Sequence, residues 1–76
     1  MEEYREQYRL IGLRIAFYRK KHGWTQEQFA DKVGCSTGFL SRIEANNGKK
    51  VYGVALPMLF RMADVLEIPI VKLFEE

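Results

Sequence analysis

The sequence predicts an all-α domain of five helices in which the second and third form a helix-turn-helix, and three observations carry that expectation. First, Thr25 and Gln28 stand at capping-box spacing, with Trp24 and Phe29 at the two positions of a hydrophobic staple, so a helix begins at Gln26. Second, Gly34 after Val33 can take the left-handed conformation that ends a helix, and Ser36 offers a new N-cap with Cys35 and Leu40 as its staple pair, so another helix begins at Thr37. Third, apolar residues recur at helical spacing on both sides of this unit. Two helices joined by a glycine turn cross steeply, and Ala30 is small where they approach.

The first helix is read from Tyr4, Tyr8, Ile11, Ile15 and Tyr18, which line one face up to Lys21 or His22 before Gly23, with residues 1–9 as its N-terminal extension. Leu10, Leu13 and Phe17 form a second stripe about a third of a turn away, and a cover for it is expected, from the N-terminal arm, the later loop or a subunit contact. Residues 45–54, Ala-Asn-Asn-Gly-Lys-Lys-Val-Tyr-Gly-Val, carry turn residues and no helical period, which makes them a loop. Pro57 suits the first turn of a fourth helix with Leu56, Leu59, Phe60, Ala63 and Leu66 as its buried stripe. Pro69 opens a last short helix in which Ile70, Leu73 and Phe74 close the core.

Seventy-six residues make room for one domain near the lower limit of independent folding, which oligomerisation would help. Cys35 is alone and suits a small buried hydrophobe in a reducing cytoplasm. No apolar run is long enough to span a bilayer, and no leader is expected. The net charge of +2 says little, but Arg9, Arg14, Arg19, Lys20 and Lys21 fall in a stretch without acids, while Asp64, Glu67, Glu75 and Glu76 load the other end. One histidine and one cysteine cannot assemble a metal site or an activated nucleophile, and no glycine pattern makes a phosphate loop. Neither an enzyme nor a cofactor or small-molecule site is therefore expected, and His22 reads as a solvated helix-end residue.

The ordered set Arg19, Gly23, Thr25-Gln26, Phe29-Ala30, Val33-Gly34, Ser36, Leu40-Ser41, Ile43-Glu44, Ala63, Leu66, Ile68 and Leu73 resembles the helix-turn-helix regulators of the phage-repressor and Cro type, the XRE family. The resemblance covers nearly all of the chain beyond Leu10 and implies the five-helix lambda-repressor-like fold. It also implies double-stranded DNA as partner, with the second motif helix in the major groove. Thr37, Gly38, Ser41 and Arg42 are then the residues against base edges. Thr37 can bond a base or touch a thymine methyl, Arg42 can grip guanine or phosphate with two donors, and Gly38 only brings backbone close. Gln26, at a helix N-terminus, and Asn46, Asn47, Lys49 and Lys50 in the loop are the phosphate contacts. Arg19 pairs with Glu44, tying the first helix to the end of the third. The sequence departs from the family in its longer loop, in Val54 where relatives carry proline, and in Glu67 where they often carry a helix-ending glycine.

These expectations describe a homodimeric, sequence-specific regulator, a repressor or autoregulator, on an operator with two-fold symmetry. The resemblance places the dimer contact at the C-terminal part, on Val71 and Phe74. A module of this size leaves no separate ligand or protease domain. The alternative is a protein-interaction module, antitoxin-like or an adaptor, with the helix-turn-helix as scaffold and Leu13, Phe17, Tyr52 and Val71 as its surface.

Overall fold

Four α-helices and one turn of 3-10 helix succeed one another in the computed structural model, which describes residues 4–45 and 51–75. They are α1 (Arg5–Lys21), α2 (Gln26–Val33), α3 (Thr37–Glu44), α4 (Leu56–Leu66) and the 3-10 turn Ile70–Leu73. The expected fifth α-helix is thus a single tighter turn, because only four residues lie between the extended Pro69 and Phe74.

The starts and stops are local. The Thr25 hydroxyl accepts from the Gln28 N–H at 3.0 Å while the Gln28 side chain accepts from the Thr25 N–H at 2.9 Å. Ser36 Oγ accepts from the Phe39 N–H at 3.0 Å and opens α3. Three of the helices stop the same way. A residue in the left-handed region (Gly23 at φ 76°, Gly34 at 88°, Glu67 at 60°) lets the next N–H reach back to a carbonyl five residues earlier: Trp24 to Arg19, Cys35 to Ala30, Ile68 to Ala63. Glu67 does this with a Cβ that glycine would not have. Glu67→Gly is therefore expected to stabilise the fold by about 1 kcal/mol. A melting temperature that stays level or falls would show that the glutamate side chain makes up for its backbone strain.

The core takes Ile11 and Ile15 from α1, Phe29, Ala30 and Val33 from α2, and Leu40 and Ile43 from α3. Leu59, Met62, Ala63 and Leu66 from α4 and Leu73 from the 3-10 turn complete it. Of the α1 face, Tyr8 and Tyr18 are half-buried and Tyr4 is exposed.

In α4 the buried stripe is rotated from the expected one, since Leu56 and Phe60 are more than half exposed and Met62 is fully buried. At about 100° per residue, Leu56 and Phe60 lie on one flank of the Leu59–Ala63–Leu66 row and Met62 on the other, and the core is on Met62's side. At the C-terminal end Leu73 is fully buried and Ile70 half-buried, whereas Phe74 is 45% exposed. The expected closure by all three is therefore made by Leu73 with help from Ile70. Leu13 and Phe17 remain exposed. Phe17 packs edge-on against its neighbour Tyr18, with the Lys21 ammonium 5.7 Å from the Phe17 ring centre. Leu10, the third residue of that stripe, is half-buried.

Candidate nucleic-acid interface

On α3, Leu40 and Ile43 point into the core and leave Thr37, Gly38 and Arg42 exposed, with Ser41 half-buried. An eight-residue helix with one apolar edge has no other face to present. Its first turn is fixed by the Ser36 cap, and its approach by the left-handed Gly34. Arg61 of α4 donates from Nη1 to the Val33 carbonyl at 3.2 Å, tying α4 to the end of α2. Cys35 in the turn is half-buried, and burial pushes its thiol above the usual range against the opposing effect of Arg61. It stays a neutral packing group at ordinary pH.

The far end of α3 is anchored by a polar cluster. Arg19 Nε donates to Glu44 Oε2 at 2.8 Å and Nη2 to Oε1 at 2.9 Å, a two-pronged bridge between α1 and α3. Arg19 Nη1 donates to the Trp24 carbonyl at 2.7 Å, which holds the entry to α2. Gln26 Nε2 donates to Glu44 Oε1 at 2.9 Å. One carboxylate thus gathers three helices, with side-chain exposures of 9% for Arg19 and 5% for Glu44. The Gln26 amide, expected at phosphate, spends one N–H inside this cluster. Its second N–H and its oxygen are not used by that bond.

Asn46, Asn47, Lys49 and Lys50 lie outside the described residues. Beyond them Tyr52, half-buried, lies under the Arg42 guanidinium, 5.7 Å from ring centre to carbon. The expected DNA-contact set did not include this aromatic, and its only sequence signal was the one aromatic in the loop of residues 45–54. His22 is exposed at the end of α1, as expected, and has partners there as well. It stacks on Trp24 at 4.2 Å and its Nε2 lies 2.8 Å from the Leu66 carbonyl, at the open end of α4. Trp24 in turn stacks on Phe29 at 6.0 Å with Lys32 over it, so the staple pair is part of an aromatic row beside α2. Among the described residues no cluster of His, Cys, Asp and Glu is suited to a metal ion, and no helix is long and apolar enough to cross a membrane.

A family model described as helix-turn-helix matches residues 15–73, from inside α1 to the end of the 3-10 turn. The chain belongs to the XRE-type helix-turn-helix family. Membership brings the coarse function with it, a DNA-binding regulator of transcription, in a family that is generally not enzymatic. Among solved structures this family member is similar to the master regulator for biofilm formation SinR in complex with DNA. The TM-score is 0.75 and the identity 31%, over 86% of this chain and 98% of that one. It shares its fold with the hypothetical transcription factor NHTF from Neisseria, with a TM-score of 0.78 and 24% identity over 90% of this chain and 72% of that one. No curated relative matches it in sequence.

Proposed function

We propose that this chain is a sequence-specific repressor or autoregulator that acts in the cytoplasm as a homodimer on an operator with two-fold symmetry. The observation that carries the reading is the polar face of α3. Thr37, Gly38, Ser41 and Arg42 stand together on a helix whose two ends are held by the Ser36 cap and by the Arg19–Glu44 bridge. Base readout depends on side chains held in register, and both anchors act on register. Arg42 is the long two-pronged donor of the set, suited to guanine, with Thr37 suited to a base or a thymine methyl. Gln26 takes the phosphate role through the part of its amide that Glu44 leaves, and Asn46, Asn47, Lys49 and Lys50 follow the backbone from the loop. The likeness to a DNA-bound regulator at 31% identity supports the partner.

For the dimer, Val71 and Phe74 are 48% and 45% exposed, and Phe74 borders an open apolar recess of about 300 Å³ with Tyr4, Ile11, Leu56 and Leu59. Apolar surface of this kind at one end of a small domain fits a symmetric contact. The rival stripe of Leu13 and Phe17 has Arg14, Lys20 and Lys21 on the same helix, and a two-fold contact there would bring like charges together.

Selection from a random duplex pool, followed by sedimentation of the protein with its selected site, tests the whole reading. Wild type is expected to enrich one two-fold symmetric site and to bind it as two chains. Arg42→Ala relaxes preference at one base pair per half-site, by about 1–3 kcal/mol of discrimination. Lys49→Ala weakens all sequences alike and flattens the salt slope by about one unit. Val71→Glu prevents pairing and Phe17→Glu does not. An unchanged site after Arg42→Ala removes its readout role, and a monomer produced by Phe17→Glu alone moves the dimer to α1. No binding to random duplex even at low salt would replace this function with the interaction module.

A further inference from the structure

We propose that Tyr52 is the positioning residue that holds the Arg42 fork over α3 for base readout, so that the segment leading to α4 sets the specificity of the recognition helix. The inference rests on the DNA-reading role proposed above for α3. Three features of the structure meet at this point. The Arg42 guanidinium carbon lies over the Tyr52 ring at 5.7 Å. The guanidinium extends back along α3 toward Gly38, where a Cβ would stand in ordinary contact, 3.7 Å from Nη1. Tyr52 is itself half-buried, two residues before Val54, which packs against the core. The ring is thus the more buried and the arginine the exposed partner of the pair.

The chemistry of the contact favours readout. A cation over an aromatic ring is held through the face of the guanidinium, while all five N–H donors lie in its plane and project from its edge. Stacking thus restricts the side chain without using the donors that a guanine edge or a phosphate would take. A free arginine on an exposed helix surface samples many rotamers, and ordering them subtracts from affinity where the side chain must be fixed against a base edge, at the specific site and not on random duplex. Pre-ordering matters more here than in a helix with several readout groups, because Thr37, Gly38 and Ser41 offer only short hydroxyls and bare backbone beside Arg42.

The test has an arm without DNA and an arm with it. In the free protein, nuclear magnetic resonance should find the Arg42 δ-methylene and Nε protons moved by the Tyr52 ring current. That shift should persist in Tyr52→Phe and vanish in Tyr52→Ala, with the amide spectrum showing the fold retained. In the second arm, the affinity ratio between the selected site and the same site altered at the base pair that Arg42→Ala relaxes should fall about two- to fivefold in Tyr52→Ala. It should hold in Tyr52→Phe, and affinity for random duplex and its salt slope should not move. In an Arg42→Ala background, Tyr52→Ala should add nothing. Equal ratios for Tyr52→Ala and wild type, a uniform loss over all sequences, or a loss equally large in Tyr52→Phe would each overturn the positioning role while leaving DNA reading by α3 intact. A wild-type chain that selects no sequence would overturn the DNA reading itself, and the inference with it.

Discussion

Glu44→Ala is expected to destabilise the fold by about 3–5 kcal/mol, measured by denaturant unfolding at neutral pH. The carboxylate sits with 5% of its side chain exposed and accepts two bonds from Arg19 and one from Gln26. Its removal strands a guanidinium that is only 9% exposed and that keeps, among the described residues, the bond to the Trp24 carbonyl. The charge cannot reach water without moving the end of α1. A domain of this size has a total stability on the order of 5 kcal/mol, so the variant should be largely unfolded at moderate temperature. The size of that loss is a measure of a broken pair, and it does not equal what the intact pair contributes. Replacing both partners with apolar residues, Arg19→Met with Glu44→Leu, should recover most of the stability, since a buried ion pair and its hydrophobic replacement are often close in energy. DNA affinity of that double variant separates the two uses of the cluster. If it folds and still binds poorly, the bridge matters for the register of α3. A loss below about 1 kcal/mol in Glu44→Ala would mean that water reaches the cluster and that the bridge is a surface pair in energetic terms.

The parts of this molecule that were legible in the sequence are those decided within a few residues. The Thr25–Gln28 box, the left-handed Gly34 and the Ser36 cap each involve atoms three to five residues apart, and the helix starts at Gln26 and Thr37 follow from them. The conjunction of Arg19 with Glu44 was legible only through family resemblance, since 25 residues separate them. What was not legible depends on where neighbouring elements come to lie. Helical period marks an apolar arc on α4 but not which flank of it meets the core, so Phe60, expected in the buried stripe, is exposed while Met62, outside it, is buried. Nothing in the local residue types says that Glu67 takes a left-handed backbone, since a glutamate does not favour it. At the candidate interface the residue types on α3 could be read, whereas the Gln26 bond to Glu44 and the Tyr52 ring under Arg42 join elements whose relative placement is tertiary.

Leu73→Ala is expected to cost about 2–5 kcal/mol, while Phe74→Ala costs less than about 1 kcal/mol in dilute solution. Leu73 has no exposed surface and belongs to the main core cluster, so its truncation leaves a cavity between α1, α4 and the 3-10 turn. A 3-10 turn of four residues has few backbone bonds of its own and stays in place mainly through Leu73, with the half-buried Ile70 beside it. The walls therefore cannot easily collapse inward without losing the turn, which puts the cost toward the upper part of the range. Phe74, next in sequence, keeps nearly half its surface in water and borders the open recess. Its truncation removes little buried area from the single chain. Protein concentration adds a second reading to the same pair of variants. If Val71 and Phe74 form the dimer contact, Phe74→Ala should become more damaging to the melting temperature as concentration rises, because it is the dimer that is being stabilised by mass action. Leu73→Ala should be equally damaging at all concentrations. A large cost for Phe74→Ala in the dilute monomer would instead return Phe74 to the core, where sequence periodicity first put it.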